Sequence, residues 1–376
     1  MSADLPPEAW GAALAGLPGM GPARLLALLR CWSPAEAWQH VRRRTWMTNR
    51  ELVTASRPDP NLLAAVWSRS AANVDVESLW QRHVQADVGV AALGSPAYPA
   101  PLARDIEPPG VLFMRGDPAV ISGPRAAIVG TRDATRYGLD LAFELGYELA
   151  LAGVAIVSGL AIGIDGAAHA GALAAGTTSP IAVVGSGLDV LYPRRNAALW
   201  REVERVGVVL SEAPLGAPPE RWRFPARNRV IAAIADVVVV VESRDTGGSM
   251  HTVTEAERRD RPVFAAPGSV RSATSVGTNR LVRDGAHVVC DAGDVLVALG
   301  LSSALSRSLR DPRPEPAPGD VVVLDAVGWA PASLDGLVAR TQSSLGQLAL
   351  ALNRLCDQGW LVERGGWYER VARAEP

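Results

Sequence analysis

Three apolar runs in the middle of the chain each stop at a turn of small residues. AAIV (126–129) precedes Gly130-Thr131-Arg132, VAIV (154–157) precedes Ser158-Gly159, and IAVV (181–184) precedes Gly185-Ser186-Gly187. The runs are short, β-branched and unalternated, as strands buried on both faces of a parallel sheet read. Similar runs stand at 89–93, 207–210, 237–241, 263–266 and 287–290, and helical segments fill most of the gaps. This pattern predicts an α/β unit over 87–300, built on a doubly wound parallel sheet. If the strands are parallel, one edge of the sheet collects Gly130, Ser158, Gly185, Ser211, Glu242, Pro267 and Asp291. Ligands bind at that edge of an open α/β sheet, where turn amides and helix N-termini point outward.

The flanks follow other periods. Residues 1–86 carry apolar positions at three- and four-residue spacing, predicting an all-helical domain. Within it, Leu17-Pro18-Gly19-Met20-Gly21-Pro22 reads either as a structural corner between helices or as a helix-hairpin-helix turn whose amides touch a DNA phosphate. Residues 301–319 are rich in proline, serine and charge and read as a linker. From 320 to 376 a helix, a helix-turn-helix and a hairpin around Gly365-Gly366 predict a small winged-helix domain.

Composition narrows the chemistry. The chain has 376 residues, 48% hydrophobic and 20% charged, an ordinary globular balance. It has no apolar stretch of the roughly 18 to 20 residues that span a bilayer and no signal-like N-terminus, so a cytoplasmic protein without membrane partners is expected. Cys31, Cys290 and Cys356 lie far apart, and we expect them to be buried fillers. A net charge of −2 argues against wholesale coating of nucleic acid, yet all 37 basic residues are arginine. Any basic site therefore presents planar, bidentate donors suited to phosphate and to stacking.

A dinucleotide cofactor is disfavoured, because Gly130 opens no GxGxxG fingerprint and the second strand ends in Ser158-Gly159 instead of a ribose-binding acid. A P-loop requires a lysine, and there is none. Asp165 and His169 stand four apart, but no third metal ligand is nearby; a helix-start carboxylate and a packed histidine are expected. Ser158, Ser211 and Ser249 lack a nucleophile elbow. No cofactor, metal or catalytic residue is predicted.

The strongest basic cluster is Arg221-Trp222-Arg223-Phe224-Pro225-Ala226-Arg227-Asn228-Arg229, with Arg194-Arg195 after Tyr192-Pro193 as a second pair. Interleaved aromatics allow bases to stack while guanidinium groups hold the flanking phosphates. Gly247-Gly248-Ser249, ahead of another helix, offers further amides to an anion. The expected single-strand site comprises Gly130, Thr131, Arg132, Ser158, Gly159, Gly187, Arg194, Arg195, Arg221, Arg223, Phe224, Arg227, Asn228, Arg229, Gly247, Gly248 and Ser249.

Together the segments AIVGTRDATRYG (127–138), VSGLAIGIDGAAHAGAL (157–173), VVGSGLDVLYPRRN (183–196), LSEAPLGAPP (210–219), RFPARNRVIA (223–232), PVFAAPGS (262–269) and GTNRLVRDGA (277–286) resemble the DNA-processing protein A (DprA/Smf) family. Where that family has an SGSL-type turn followed by threonine, this chain reads Gly247-Gly248-Ser249-Met250-His251-Thr252. The resemblance implies an extended Rossmann-like domain that binds single-stranded DNA and forms a homodimer. It also implies a non-enzymatic protein that protects incoming strands and loads the recombinase RecA in natural transformation and recombination, with single-strand-binding protein as a further partner.

Two rival readings remain at this stage. One is a nucleotide-binding hydrolase of the lysine-decarboxylase-like group, with Glu255 following the Gly247 turn. The other is a winged-helix reader of duplex DNA. Residues 320–376 hold five arginines against seven acids, which predicts weak duplex binding.

Overall fold

The computed structural model describes residues 5–301 and 313–371. Six helices come first: α1 (Pro7–Ala15), α2 (Pro22–Cys31), α3 (Pro34–Arg43), α4 (Arg50–Ala55), α5 (Pro60–Asn73) and α6 (Val76–Gln85). Their starts follow local chemistry. Ser33 and Glu36 form a reciprocal capping box on α3, and Asp75 accepts the first amides of α6.

Next come β1 (Gly89–Ala92), α7 (Ala100–Ala103), β2 (Val111–Gly116), β3 (Arg125–Val129), α8 (Arg136–Leu151), β4 (Ala155–Ser158) and α9 (Ile164–Ala175). After them run β5 (Ile181–Val184), α10 (Ala197–Val206), β6 (Val208–Ser211), α11 (Arg223–Ile234), β7 (Val237–Val240) and α12 (Ser249–Glu257). The unit closes with β8 (Val263–Ala265), α13 (Val276–Arg283), β9 (His287–Val288) and α14 (Ala292–Ala298).

The strands form one sheet in the order β1-β2-β6-β5-β4-β3-β7-β8-β9. From β6 to β9 every pairing is parallel, and β3, β4, β5, β6 and β7 are buried along almost their whole length. The chain steps outward from β3 to β6, then returns to the other side of β3 as β7. This reversal is the topological switch point of a doubly wound, Rossmann-like sheet.

One sheet face packs Val157, Val183, Leu210 and Val240 against Val230, Ile234 and Val253 of α11 and α12. The other face packs Ile128, Ile156 and Val239 against Leu145, Leu149 and Ala168 of α8 and α9. Val111, Phe113 and Val209 share a core with Leu14, Trp38 and Trp67, so the N-terminal helices bury their apolar faces on the β2–β6 end of the sheet.

Three expectations need correction. Strand β2 stands unforeseen between β1 and β6 and pairs antiparallel with both. Its signal was Val111-Leu112-Phe113-Met114 directly after Pro108-Pro109-Gly110. The cysteines are not buried fillers: Cys31 and Cys290 are exposed and Cys356 is half-buried.

Much of the expected linker, 302–312, lies outside the described residues. The rest of that segment is not a free spacer. Arg313 donates to the Gly359 and Val371 carbonyls and stacks on Trp360 at 3.7 Å, and Pro318 opens the next helix. That helix, α15 (Pro318–Val327), is followed by β10 (Ala332–Ser333), α16 (Leu334–Thr341), α17 (Leu345–Asp357), β11 (Leu361–Arg364) and β12 (Trp367–Arg370). They enclose a separate core of Leu324, Leu337, Leu352 and Leu355. No helix among the described residues is long and apolar enough to cross a membrane.

Helices α8 and α9 meet backbone to backbone. A Cβ on Gly171 would stand 2.1 Å from the Phe143 carbonyl oxygen, and one on Gly146 would stand 2.3 Å from that of Ala168. Glycine inside a helix costs about 1 kcal/mol relative to alanine, so close packing is what both positions gain. Gly171→Ala is expected to lower stability by about 1 to 3 kcal/mol through forced separation of the helices. Urea unfolding checks this, and an unchanged midpoint would remove the assigned role.

Candidate nucleic-acid interface

The carboxyl ends of β3, β4, β5 and β7 meet the first turns of α11 around one buried guanidinium. Arg227, on the inner face of α11, donates to the Val183 carbonyl at 2.8 Å, where β5 ends. Its Nη1 lies where a Cβ on Gly159 would be, only 1.6 Å away, so only glycine fits after β4. Burial lowers the Arg227 pKa to about 10, against the opposing pull of the Asp165 carboxylate, so it stays charged at neutral pH.

Asp165, in the first turn of α9, accepts the Gly159 amide at 3.1 Å. Burial pushes its pKa up, while the Arg227 charge, the Gly159 amide, Arg132 and the Gly130 amide pull it down. One turn further, His169 is fully buried with neither ring nitrogen hydrogen-bonded. Burial holds its pKa at about 4, so its imidazole is neutral near pH 7.

A second carboxylate, Glu242 at the end of β7, was not anticipated as a site organiser. It is buried beneath the start of α8, where it accepts the Thr135 amide at 2.9 Å, the Thr135 hydroxyl at 2.7 Å and the Thr274 hydroxyl at 3.1 Å. Its own carbonyl accepts the Thr131 amide at 2.8 Å. The positive end of α8 is thus already supplied with an anion.

These partners remove several expected contacts from the surface. Gly130 packs against Ile164 and the Glu242 carbonyl, and the Thr131 amide is spent internally, so this turn does not offer the expected phosphate cradle. Ser158 is buried and donates to the Ile128 carbonyl at 2.6 Å. Gly187 is buried, donates to the Ala217 carbonyl and closes on that of Pro214.

Arg227 faces the interior. Arg229 pairs with Glu212 and donates to the Glu107 carbonyl, bracing α11 against the loops before it. Gly159 serves Arg227 and Asp165. In the β7 turn, Gly247 donates to the Arg244 carbonyl, Ser249 is buried on Ser243, and Asn228 donates to the Gly248 carbonyl at 3.1 Å, tying α11 to α12. Glu255, the acid that a hydrolase would need, is engaged by Arg258 and Arg259.

What stays on the surface is narrower. The Arg132 guanidinium lies 4.9 Å from the Phe224 ring centre, and Tyr192, 40% exposed, leans on Phe224 at 5.7 Å. Between them a cleft of about 50 Å³ is floored by Gly159 and Gly185. Arg194 and Arg195 are exposed in the short 3₁₀ turn after the cis Tyr192-Pro193 bond. On the opposite flank, Trp222 is 46% exposed with Arg223 stacked over it at 4.5 Å, Arg223 also pairing with Glu220 at 3.1 Å. Arg221 is exposed beside them. Among the described residues, Arg132, Arg194, Arg195 and Arg221 form no ion pair. The edge therefore presents unpaired forked cations around a short aromatic track.

The chain is similar to proteins of one known family. Residues 89–300 match the family model for DNA recombination-mediator protein A. The DNA processing protein DprA of Bacillus subtilis is 38% identical over 209 residues, spanning 55% of this chain and 70% of that protein. The crystal structure of DprA from Streptococcus pneumoniae superposes with a TM-score of 0.64 at 30% identity, covering 77% of this chain and 96% of that one. A structure of DprA from Helicobacter pylori, described for its single-stranded DNA binding mode, superposes with a TM-score of 0.51 at 31% identity, covering 56% and 95%.

His169 generates a pH prediction. Its folded pKa of about 4 lies below the ordinary value of 6.5, so between these pH values the unfolded chain takes up a proton that the folded protein refuses. This contribution to stability is present above pH 6.5 and is lost as pH falls toward 4, on the order of 3 kcal/mol. Urea unfolding across that window should show a shallower acid loss in His169→Leu than in the unaltered protein. Equal slopes would show that the histidine is not the responsible group.

Proposed function

The chain belongs to the DNA recombination-mediator protein A family, and from that premise we propose that it binds single-stranded DNA along the carboxyl edge of its sheet. The observation that carries this reading is the set of unpaired arginines on this edge, Arg132 against the Phe224–Tyr192 contact, Arg194 and Arg195 just after Tyr192, and Arg221 on the Trp222 flank. Guanidinium groups grip successive phosphates as forked donors, and aromatic faces receive unpaired bases. A duplex hides those faces, so the arrangement favours single strands. Asn228, one turn after Phe224, ties α11 to the Gly247-Gly248-Ser249 turn through the Gly248 carbonyl, and Arg223 flanks Trp222.

The protein acts without chemical turnover: it holds and protects an incoming strand and passes it to the recombinase RecA during transformation and recombination. Single-strand-binding protein is a further partner, and the working form is a homodimer. The resemblance to the family supports these roles.

The C-terminal segment folds around its own core as a winged helix and serves protein contacts or regulation. Arg354, the one arginine of α17, is held by Asp320 of α15 at 2.6 Å, leaving that helix without a free cation for a duplex.

Phe224→Ala should weaken single-strand affinity by the roughly 1 to 3 kcal/mol of one stacked base. Arg132→Ala should reduce the salt slope by about 0.7, the share of one neutralised phosphate. Arg229→Ala should act on thermal stability and leave the slope unchanged. Fluorescence anisotropy on single-stranded and duplex oligonucleotides over a salt series measures the affinities and slopes, thermal unfolding checks Arg229→Ala, and undiminished binding by both Arg132→Ala and Phe224→Ala would move the site elsewhere.

A fragment of residues 313–376 should bind duplex DNA only weakly at physiological salt. Sub-micromolar affinity in the same assay would reverse the assignment of this segment.

A further inference from the structure

At the opposite, amino end of the parallel strands lies a second basic depression. It is an open hollow of about 380 Å³ bordered by Arg104, Arg125, Arg259 and Arg261. The sequence scatters these residues, and the sheet collects them: Arg125 opens β3, Arg261 stands just before β8, Arg259 follows α12, and Arg104 caps α7. Two acids accompany them, and both are fully engaged. Asp236 pairs with Arg125 at 2.7 Å, and Asp105 pairs with Arg259 at 2.7 Å with both side chains nearly inaccessible.

Arg104 and Arg261 have no acidic partner among the described residues. Arg104 is exposed, whereas Arg261 is half-buried and its Nε is shut away from water with no acceptor. A buried donor without a partner is costly, and two unneutralised guanidinium groups in one hollow repel each other.

We propose that this hollow is a phosphate-binding site, separate from the carboxyl-edge track. Two unpaired guanidinium groups match the charge of a phosphate group, about −1.5 to −2 near neutral pH, better than that of a single carboxylate. The source is either a free phosphate monoester, which carries that charge on one group, or a nucleic-acid backbone passing the amino end of the sheet, whose diester groups carry one charge each.

Titration calorimetry of the full chain with inorganic phosphate, against chloride at matched ionic strength, tests the site. Arg104→Gln and Arg261→Gln should each weaken binding about tenfold, the effect of losing one charge-assisted hydrogen bond. The double variant should lose binding while keeping its melting temperature, and Arg132→Ala should bind phosphate as the unaltered protein does. If a saturating single-stranded oligonucleotide excludes phosphate, a nucleic-acid backbone is the source; if phosphate still binds the complex, the source is a free ester. Absence of phosphate binding in the unaltered protein, or equal binding by the double variant, would overturn the proposal without touching the single-strand reading.

Discussion

The carboxyl edge of this sheet is organised by one buried charge, the guanidinium of Arg227. It joins the end of β5 through the Val183 carbonyl, closes on Gly159 after β4, and faces the Asp165 carboxylate at the start of α9. An uncompensated buried charge would cost several kcal/mol; here the Val183 carbonyl accepts a hydrogen bond from the guanidinium and Asp165 offsets part of the burial electrostatically. Around Arg227 the order of β4, β5 and α11 is set at side-chain precision. Phe224 and Asn228, on neighbouring turns of the same helix, inherit their positions from it.

Two acids complete the arrangement by taking roles that an anionic ligand fills in many doubly wound proteins. Asp165 takes the Gly159 amide, and Glu242 sits beneath the first turn of α8. Helix N-termini and glycine turns normally leave such donors open to phosphate. Here they are satisfied from within, and what the edge offers outward is side chains with longer reach. That shift suits a polymer, whose phosphates are spaced along a strand, better than a mononucleotide held in one amide cradle.

The alternation of short apolar runs with helical segments was sufficient to read the parallel core, because strands buried on both faces carry an unbroken β-branched signature. Strand β2 escaped that reading. Its four apolar residues lie between a proline-rich turn and Arg115-Gly116, and its antiparallel pairing lies outside the repeating pattern of strand, turn and helix. The arginine and aromatic run at 221–229 was visible as composition, but its division of labour was not. On a helix with 3.6 residues per turn a contiguous run is spread around the axis. Arg227 therefore points into the core, Arg229 toward Glu212, and Phe224 to the cleft.

The doubly wound class, the edge at which small residues gather, and the family motifs that run from Ala127 to Ala286 were legible in the chain alone. The reason is that periodicity and turn chemistry are local properties of the chain. Which glycine amides are free, which arginines are spent on buried acids, and which remain for a ligand were decided only in the tertiary structure. Those outcomes depend on partners distant in sequence, such as Glu242 with Thr135 and Arg227 with Val183, and on the burial that makes each pairing obligatory.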